Sequence, residues 1–449
     1  MTADPLVQDL VAELATVPII DVHTHLVGPK LGARGLHDIL LYHMAVSDLY
    51  AAGCPSGRRL TEYPGWPSRE EAHQRLREAL PYLRYVQNTS TSWGTRTILA
   101  DLYDWREPVT ESNWETLDSL ICERADDVAW HHQILRRLNV RRVGAEWARR
   151  EGGEGDSVLQ YALEWGFFTR CQWGEYDTAL YELEKCWGNK PGSPSPIGAG
   201  KRPTPERQIK SLADVHAAID HYVAQFPPQV LATATHLSID LDLTPVDEAQ
   251  MEAALKNRAQ AGPRERDVYA TYINEHYLSA LAKRRPDVIF QFSFGAEPLP
   301  HETGSRLDQR SIRQLGELVS RHPGLRFQSL LSSQHGHQSL CTLARQLPNL
   351  SLAGYWWHNF FPSIIRKTMA ERLEMLPLNQ HVGFFSDAYC VEWVYGKTAI
   401  VRRCLAQVLA EQIRQGWYTR QQALDIARAV LFETPQQLLG FSPSPLLSA

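Results

Sequence analysis

Short β-branched and aromatic runs recur along this chain, each of strand length and most followed by a segment with helical spacing. Eight stand out: 17–23 (VPIIDVH), 140–146 (VRRVGAE), 163–171 (LEWGFFTRC), 230–236 (VLATATH), 287–294 (DVIFQFSF), 325–331 (LRFQSLL), 350–356 (LSLAGYW) and 381–387 (HVGFFSD). Runs this short and this apolar read as buried strands. Between them the period changes. The stretch 311–321 (SIRQLGELVSR) has an amphipathic helical pattern, and after the last run Val401, Leu405, Leu409 and Ile413 recur every four residues. Strands alternating with helices predict a parallel sheet, because parallel neighbours need a crossover between them. Eight of them predict a closed (β/α)8 TIM barrel.

The first and second runs are separated by residues 24–139, and 69–86 and 114–138 within that gap have helical periodicity. The expected organisation is one barrel domain over 1–449, with 44–138 as a helical insertion subdomain over the barrel mouth. The stretch 189–205 (NKPGSPSPIGAGKRPTP) holds five Pro and three Gly, so it cannot be a regular element and reads as a flexible loop or lid. Its Lys190, Lys201 and Arg202 would meet an anionic substrate; a solvated linker is the alternative.

Composition narrows the class. The chain has 449 residues, 43% of them hydrophobic, and a formal net charge of −5 with both signs dispersed. No basic block points to nucleic acid, and no basic amphipathic run points to a membrane surface. Seven cysteines, an odd number with no C-x-x-C pair, argue against a disulfide framework and for a reducing, cytoplasmic setting. The first twenty residues contain acids but no Lys or Arg, unlike a signal peptide.

In barrels of this kind the chemistry gathers at the C-terminal ends of the strands. Those ends carry His23 and His25, Glu146, Arg170, His236, Ser293 with Glu297 beyond it, then Trp356, Trp357, His358 and Asn359, and finally Asp387. Alternation along a strand turns His23 and His25 to one side, where two imidazoles can converge on one ion. Asp387 completes a metal site for one divalent cation, with zinc the expected ion. Two imidazoles and one carboxylate leave positions open for water or substrate, as a catalytic site needs. Asp387 is also a candidate general base. His236 is an outer ligand candidate, and Glu146 is the one carboxylate available to bridge a second ion.

Together these residues resemble the uronate isomerase branch of the amidohydrolase superfamily. The resemblance runs from His23 to about residue 440. It rests on the His-x-His, on LLYHMAVSDLYAAG with His43, and on PYLRYVQNTSTSWGTRTILADLYDW. It also rests on Arg170 in FFTR, on His236, on GYWWHNFF (354–361) and on Asp387. It implies aldose–ketose isomerisation of a sugar acid by a metal-dependent enzyme. Arg170 would face the carboxylate, His43 and His236 would orient hydroxyls, and Trp356, Trp357 and Asn359 would line the substrate. Ordinary barrel packing is the alternative for the two tryptophans. Three positions depart from the family pattern: Met44 for Tyr, Ser293 for His and Tyr389 for Arg. Tyr389 and Tyr42 are candidates to replace the lost donors, and weak turnover of simple uronates is the expected result. A metal-dependent hydrolase of an amide, ester or lactone, or a decarboxylase, stays open. So does a non-catalytic barrel that binds a sugar acid. A homo-oligomer is compatible with the family.

Overall fold

The computed structural model describes residues 4–27, 31–55, 68–146, 156–164, 178–188, 207–237, 242–295, 309–357 and 360–440. Eight parallel strands form one sheet in sequence order: β1 (Ile19–Asp21), β2 (Val140–Glu146), β3 (Leu159–Glu164), β4 (Val230–Leu237), β5 (Ile289–Phe294), β6 (Arg326–Leu331), β7 (Leu350–Ala353) and β8 (His381–Val382). Helices alternate with them, as in a TIM barrel. No ladder joins β8 to β1 among the described residues. The seam is made just beyond the two short strands instead, where Asp387 N donates to His23 O (3.0 Å) and His25 N donates to Ala388 O (2.9 Å).

Inside the barrel, polar side chains satisfy one another, as buried polar groups must. Gln291 on β5 donates to the Val22 carbonyl (3.1 Å) and to Gln328 Oε1 on β6 (2.9 Å). The strands approach closely where small residues permit. A Cβ on Gly144 would meet the Val22 carbonyl oxygen at 2.7 Å. Thr24 donates its hydroxyl to the Gly144 carbonyl, tying the residue between the two histidines to β2. Gly354, just past β7, is left-handed (φ 44°), and a Cβ there would stand 2.2 Å from Phe385. Gly354→Ala is expected to cost about 2–4 kcal/mol, combining backbone strain with overpacking. Urea unfolding checks this.

Six of the predicted strands match closely. The third predicted run, 163–171, overlaps the described strand Leu159–Glu164 at its first two residues, and 165–171 lie outside the described residues; the strand is in register with β2 through Val143↔Leu159 and Glu146↔Ala162. The eighth is cut to a two-residue ladder because the chain beyond it bonds elsewhere: Gly383 N donates to Val430 O (2.8 Å) and Asp387 N to His23 O. Between β1 and β2 the chain is helical, including Arg69–Ala79, Ser90–Tyr103, Trp114–Cys122 and Val128–Arg137. The loop 189–205 lies outside the described residues.

The long helix Val391–Arg414 braces the β1 end. Its predicted stripe is real: Val401, Leu405 and Leu409 are buried and Ile413 packs against the core. Arg402 donates to the carbonyls of Val17 (3.0 Å) and Leu138 (2.7 Å), holding the entries to β1 and β2. No helix among the described residues is long and apolar enough to cross a membrane. The six cysteines described are free.

Candidate functional site

His23, His25 and Asp387 come together at the seam. One ligand atom from each lies within 4.8 Å of the others, an arrangement that could hold a metal ion. Asp387 Oδ1 is 3.6 Å from His23 Nε2 and 3.2 Å from His25 Nε2. The imidazoles meet edge to face, with centroids 5.1 Å apart. Asp387 is buried and left-handed (φ 55°), as is Trp357 (φ 49°). Non-glycine residues in that region are uncommon and cluster at functional sites.

Glu146 settles the role of each ring nitrogen in His25. Its Oε1 lies 2.5 Å from His25 Nδ1, so Nε2 is the atom turned to Asp387. A carboxylate on the far nitrogen of a ligating histidine fixes its orientation and raises its basicity. Glu146 therefore contacts His25 and does not join the converging ligand atoms. His236 does not join them either. The electrostatics fit a cation. Burial, with His25 nearby, holds His23 down to about 4, so its lone pair is available. Burial pulls His25 down too, but Asp387 and Glu146 together outweigh it and lift the ring to about 10. Two carboxylates thus hold a positive charge at this point. A metal ion would take the place of the proton that charges His25, and two neutral imidazoles with a carboxylate form a donor set suited to a divalent metal. Glu146→Gln is expected to weaken metal affinity about 10–100-fold, measurable by chelator competition.

Around this group, Tyr389 stacks on His25 (4.7 Å, 14° between planes). Tyr42 is buried, stacked on Trp393, and donates its hydroxyl to the Asp387 carbonyl (2.8 Å). Its bond holds the backbone of a candidate ligand. His236 Nδ1 bonds the Ser293 hydroxyl (3.1 Å), and its ring meets Trp356 edge to face at 5.6 Å. Trp356 and Trp357 are both buried and 6.1 Å apart. Met44 is in the core. Arg170, Glu297, His358 and Asn359 lie outside the described residues, as does the side chain of His43.

Sequence reasoning did not single out Lys397. It is fully buried, its Nζ has no hydrogen-bond partner, and it sits over the faces of Tyr42 (4.9 Å) and Phe360 (4.7 Å). Burial pulls it down to about 8 against the opposing charges of Asp387 and Asp21. Its spacing of four from both Trp393 and Val401 was the available signal. Asp21, also buried, accepts from Ser386 N (2.9 Å) and so ties β1 to the segment that carries Asp387.

No family profile matches the chain, and no curated protein matches it in sequence. Solved structures do match. Glucuronate isomerase from Caulobacter crescentus superposes with a TM-score of 0.76 at 14% identity, over 100% of this chain and 97% of that one. Uronate isomerase from Thermotoga maritima gives 0.74 at 14% identity, over 97% and 98%. The chain has the uronate isomerase fold. A Lactobacillus casei protein provisionally named a metal-dependent hydrolase is also similar, with a TM-score of 0.57 at 15% identity over 96% and 97%. The uronate isomerase fold is thus present end to end, with sequence similarity nearly gone. In it the His-x-His of β1 and the acid after β8 are neighbours across the barrel seam.

Proposed function

We propose that this chain is a metal-dependent enzyme of the uronate isomerase type, interconverting aldose and ketose forms of a sugar acid or performing closely related proton transfer. The observation that carries this reading is the convergence of His23, His25 and Asp387 at the seam of a barrel with this fold. These three residues would hold the cation, and zinc suits two imidazoles and a carboxylate. Bound there, it would supply positive charge to stabilise negative charge developing on substrate oxygens.

The chain's own groups then carry the protons. Asp387 takes the proton from the hydroxyl-bearing carbon and delivers a proton, exchangeable with solvent while it is on the carboxyl, to the neighbouring former carbonyl carbon. The hydroxyl proton passes to the former carbonyl oxygen, so C=O and C–OH change places and the substrate gains and loses no atoms. Tyr389, stacked on His25, is the group we assign to that second transfer. We assign Arg170 to the substrate carboxylate or the enediolate oxygen, His43 and His236 to the substrate hydroxyls, Trp356, Trp357 and Asn359 to the walls, and the helical insertion 44–138 to the cover of the mouth. Tyr42 acts through the Asp387 carbonyl.

The second reading is a hydrolase or decarboxylase. The similarity to the Lactobacillus casei protein favours it, as do Met44, Ser293 and Tyr389, which remove groups that the isomerase pattern carries. Incubation of the metal-loaded protein with a panel of sugar acids and lactones in deuterated water separates the two. Isomerisation is expected to give the ketose or aldose partner with solvent deuterium on carbon, and D-glucuronate is expected to be a poor substrate. Lactone or ester opening with no deuterium on carbon in any acid would overturn the first reading in favour of the second.

A further inference from the structure

A second group of buried polar side chains lies away from the candidate metal centre, where β7 and β8 meet the helices His337–Gln346 and Pro362–Met375. Arg372 is at its centre, fully buried. Its Nη1 donates to the Gly354 carbonyl (2.8 Å). Among the described residues its Nε and Nη2 have no hydrogen-bond partner and no acid pairs with it. A guanidinium keeps its charge inside a protein, and a buried charge with no counter-ion is strongly disfavoured.

The neighbours of Arg372 supply more donors and no buried acid. Tyr355 lies beneath the guanidinium, 5.1 Å from ring centroid to Cζ, and its buried hydroxyl has no partner. His381 is buried with both ring nitrogens unpartnered, and His337 is buried with Nδ1 unpartnered. Burial, then the charge of Arg372, keeps both imidazoles neutral: His337 is lowered to about 3 and His381 well below its usual value. Each neutral ring still offers one N–H. The Glu371 carboxylate is partly exposed and approaches His337 Nε2 at 3.9 Å, not Arg372.

The Nε–H and Nη2–H edge of a guanidinium is the fork that grips anions. A water cluster could fill the hydrogen bonds here but would leave the charge uncompensated. We propose that Arg372, Tyr355 and His381 hold a small monovalent anion, chloride, within this layer. The enclosure of every lining group favours a small, easily dehydrated ion over phosphate or sulfate. The anion neutralises the guanidinium that braces Gly354, two residues before Trp356, and so steadies the end of β7 that carries the tryptophan pair. This inference does not depend on which reaction the barrel performs.

Crystals of the full-length protein grown in sodium bromide are expected to show an anomalous peak beside Arg372 Nε and Nη2. In solution, the melting temperature is expected to rise saturably with sodium chloride relative to sodium gluconate at equal ionic strength, by on the order of 3 °C. Arg372→Met should abolish that difference. If this variant does not fold, the bromide map of the unaltered protein decides. An empty or water-filled position in that map overturns the proposal. So does a bromide peak without saturable stabilisation, which marks an adventitious ion only.

Discussion

Asp387→Asn is expected to lower turnover by about 10²–10⁴-fold, the usual contribution of a positioned acid–base group, while leaving the fold intact. The reason lies in the backbone. Asp387 is left-handed (φ 55°), and Asn is one of the few residues that adopts this region readily. The backbone bonds of this residue, from its N–H to the His23 carbonyl and from Tyr42 to its own carbonyl, do not involve the carboxylate. Asn therefore keeps the shape and removes the anionic ligand and the proton acceptor. Asp387→Ala makes the contrast: it also loses activity, but the strained backbone lowers its melting temperature as well. Steady-state kinetics on the best substrate, with thermal melts of both variants, test the pair. Turnover of the Asn variant within tenfold of the parent would falsify a chemical role for this carboxylate.

The double variant His23→Ala, His25→Ala is expected to lose its bound metal entirely. Asp387 alone offers too few ligand atoms to retain an ion through dialysis, since a catalytic site of this type uses several protein ligands. Each single variant should hold the metal more weakly. His25→Ala should be the worse of the two, because it removes the ring that the Glu146 carboxylate orients. Elemental analysis of the purified proteins reads this directly. Metal content unchanged in the double variant would place the ion elsewhere in the chain.

Much of the fold was legible because strand-length apolar runs are a local signal. The run 140–146 coincides with β2, and His23 and His25, expected together at the end of the first strand, do converge although they lie just past it. The start of the third strand at Leu159 was missed, because the polar Gln160 breaks the apolar run and pairing with β2 is what brings 159–162 into the sheet. The grouping of His23, His25 and Asp387 was legible from residue type and position along the chain. The function of Glu146 was not, because it depends on a 2.5 Å contact between residues 121 apart in sequence. Lys397 was hidden for another reason: a lysine in a helix is ordinarily solvated, and only the apolar residues four before and four after it mark the buried face.

The seam of the barrel carries a further consequence. Seven of its strand junctions are β-ladders, but the eighth is made by the residues that gather the candidate ligands, through His23 with Asp387 and His25 with Ala388. The candidate metal site therefore lies at the clasp of the cylinder. A clasp and an active site make opposite demands: one gains from being fastened, the other from room to exchange ligands. The closing bonds run between main-chain atoms, so they fix the path of the backbone and do not depend on which side chains stand at His23, His25 and Ala388. Only at Asp387 does closure reach the side chain, because few residues other than Gly, Asn and Asp adopt its left-handed backbone.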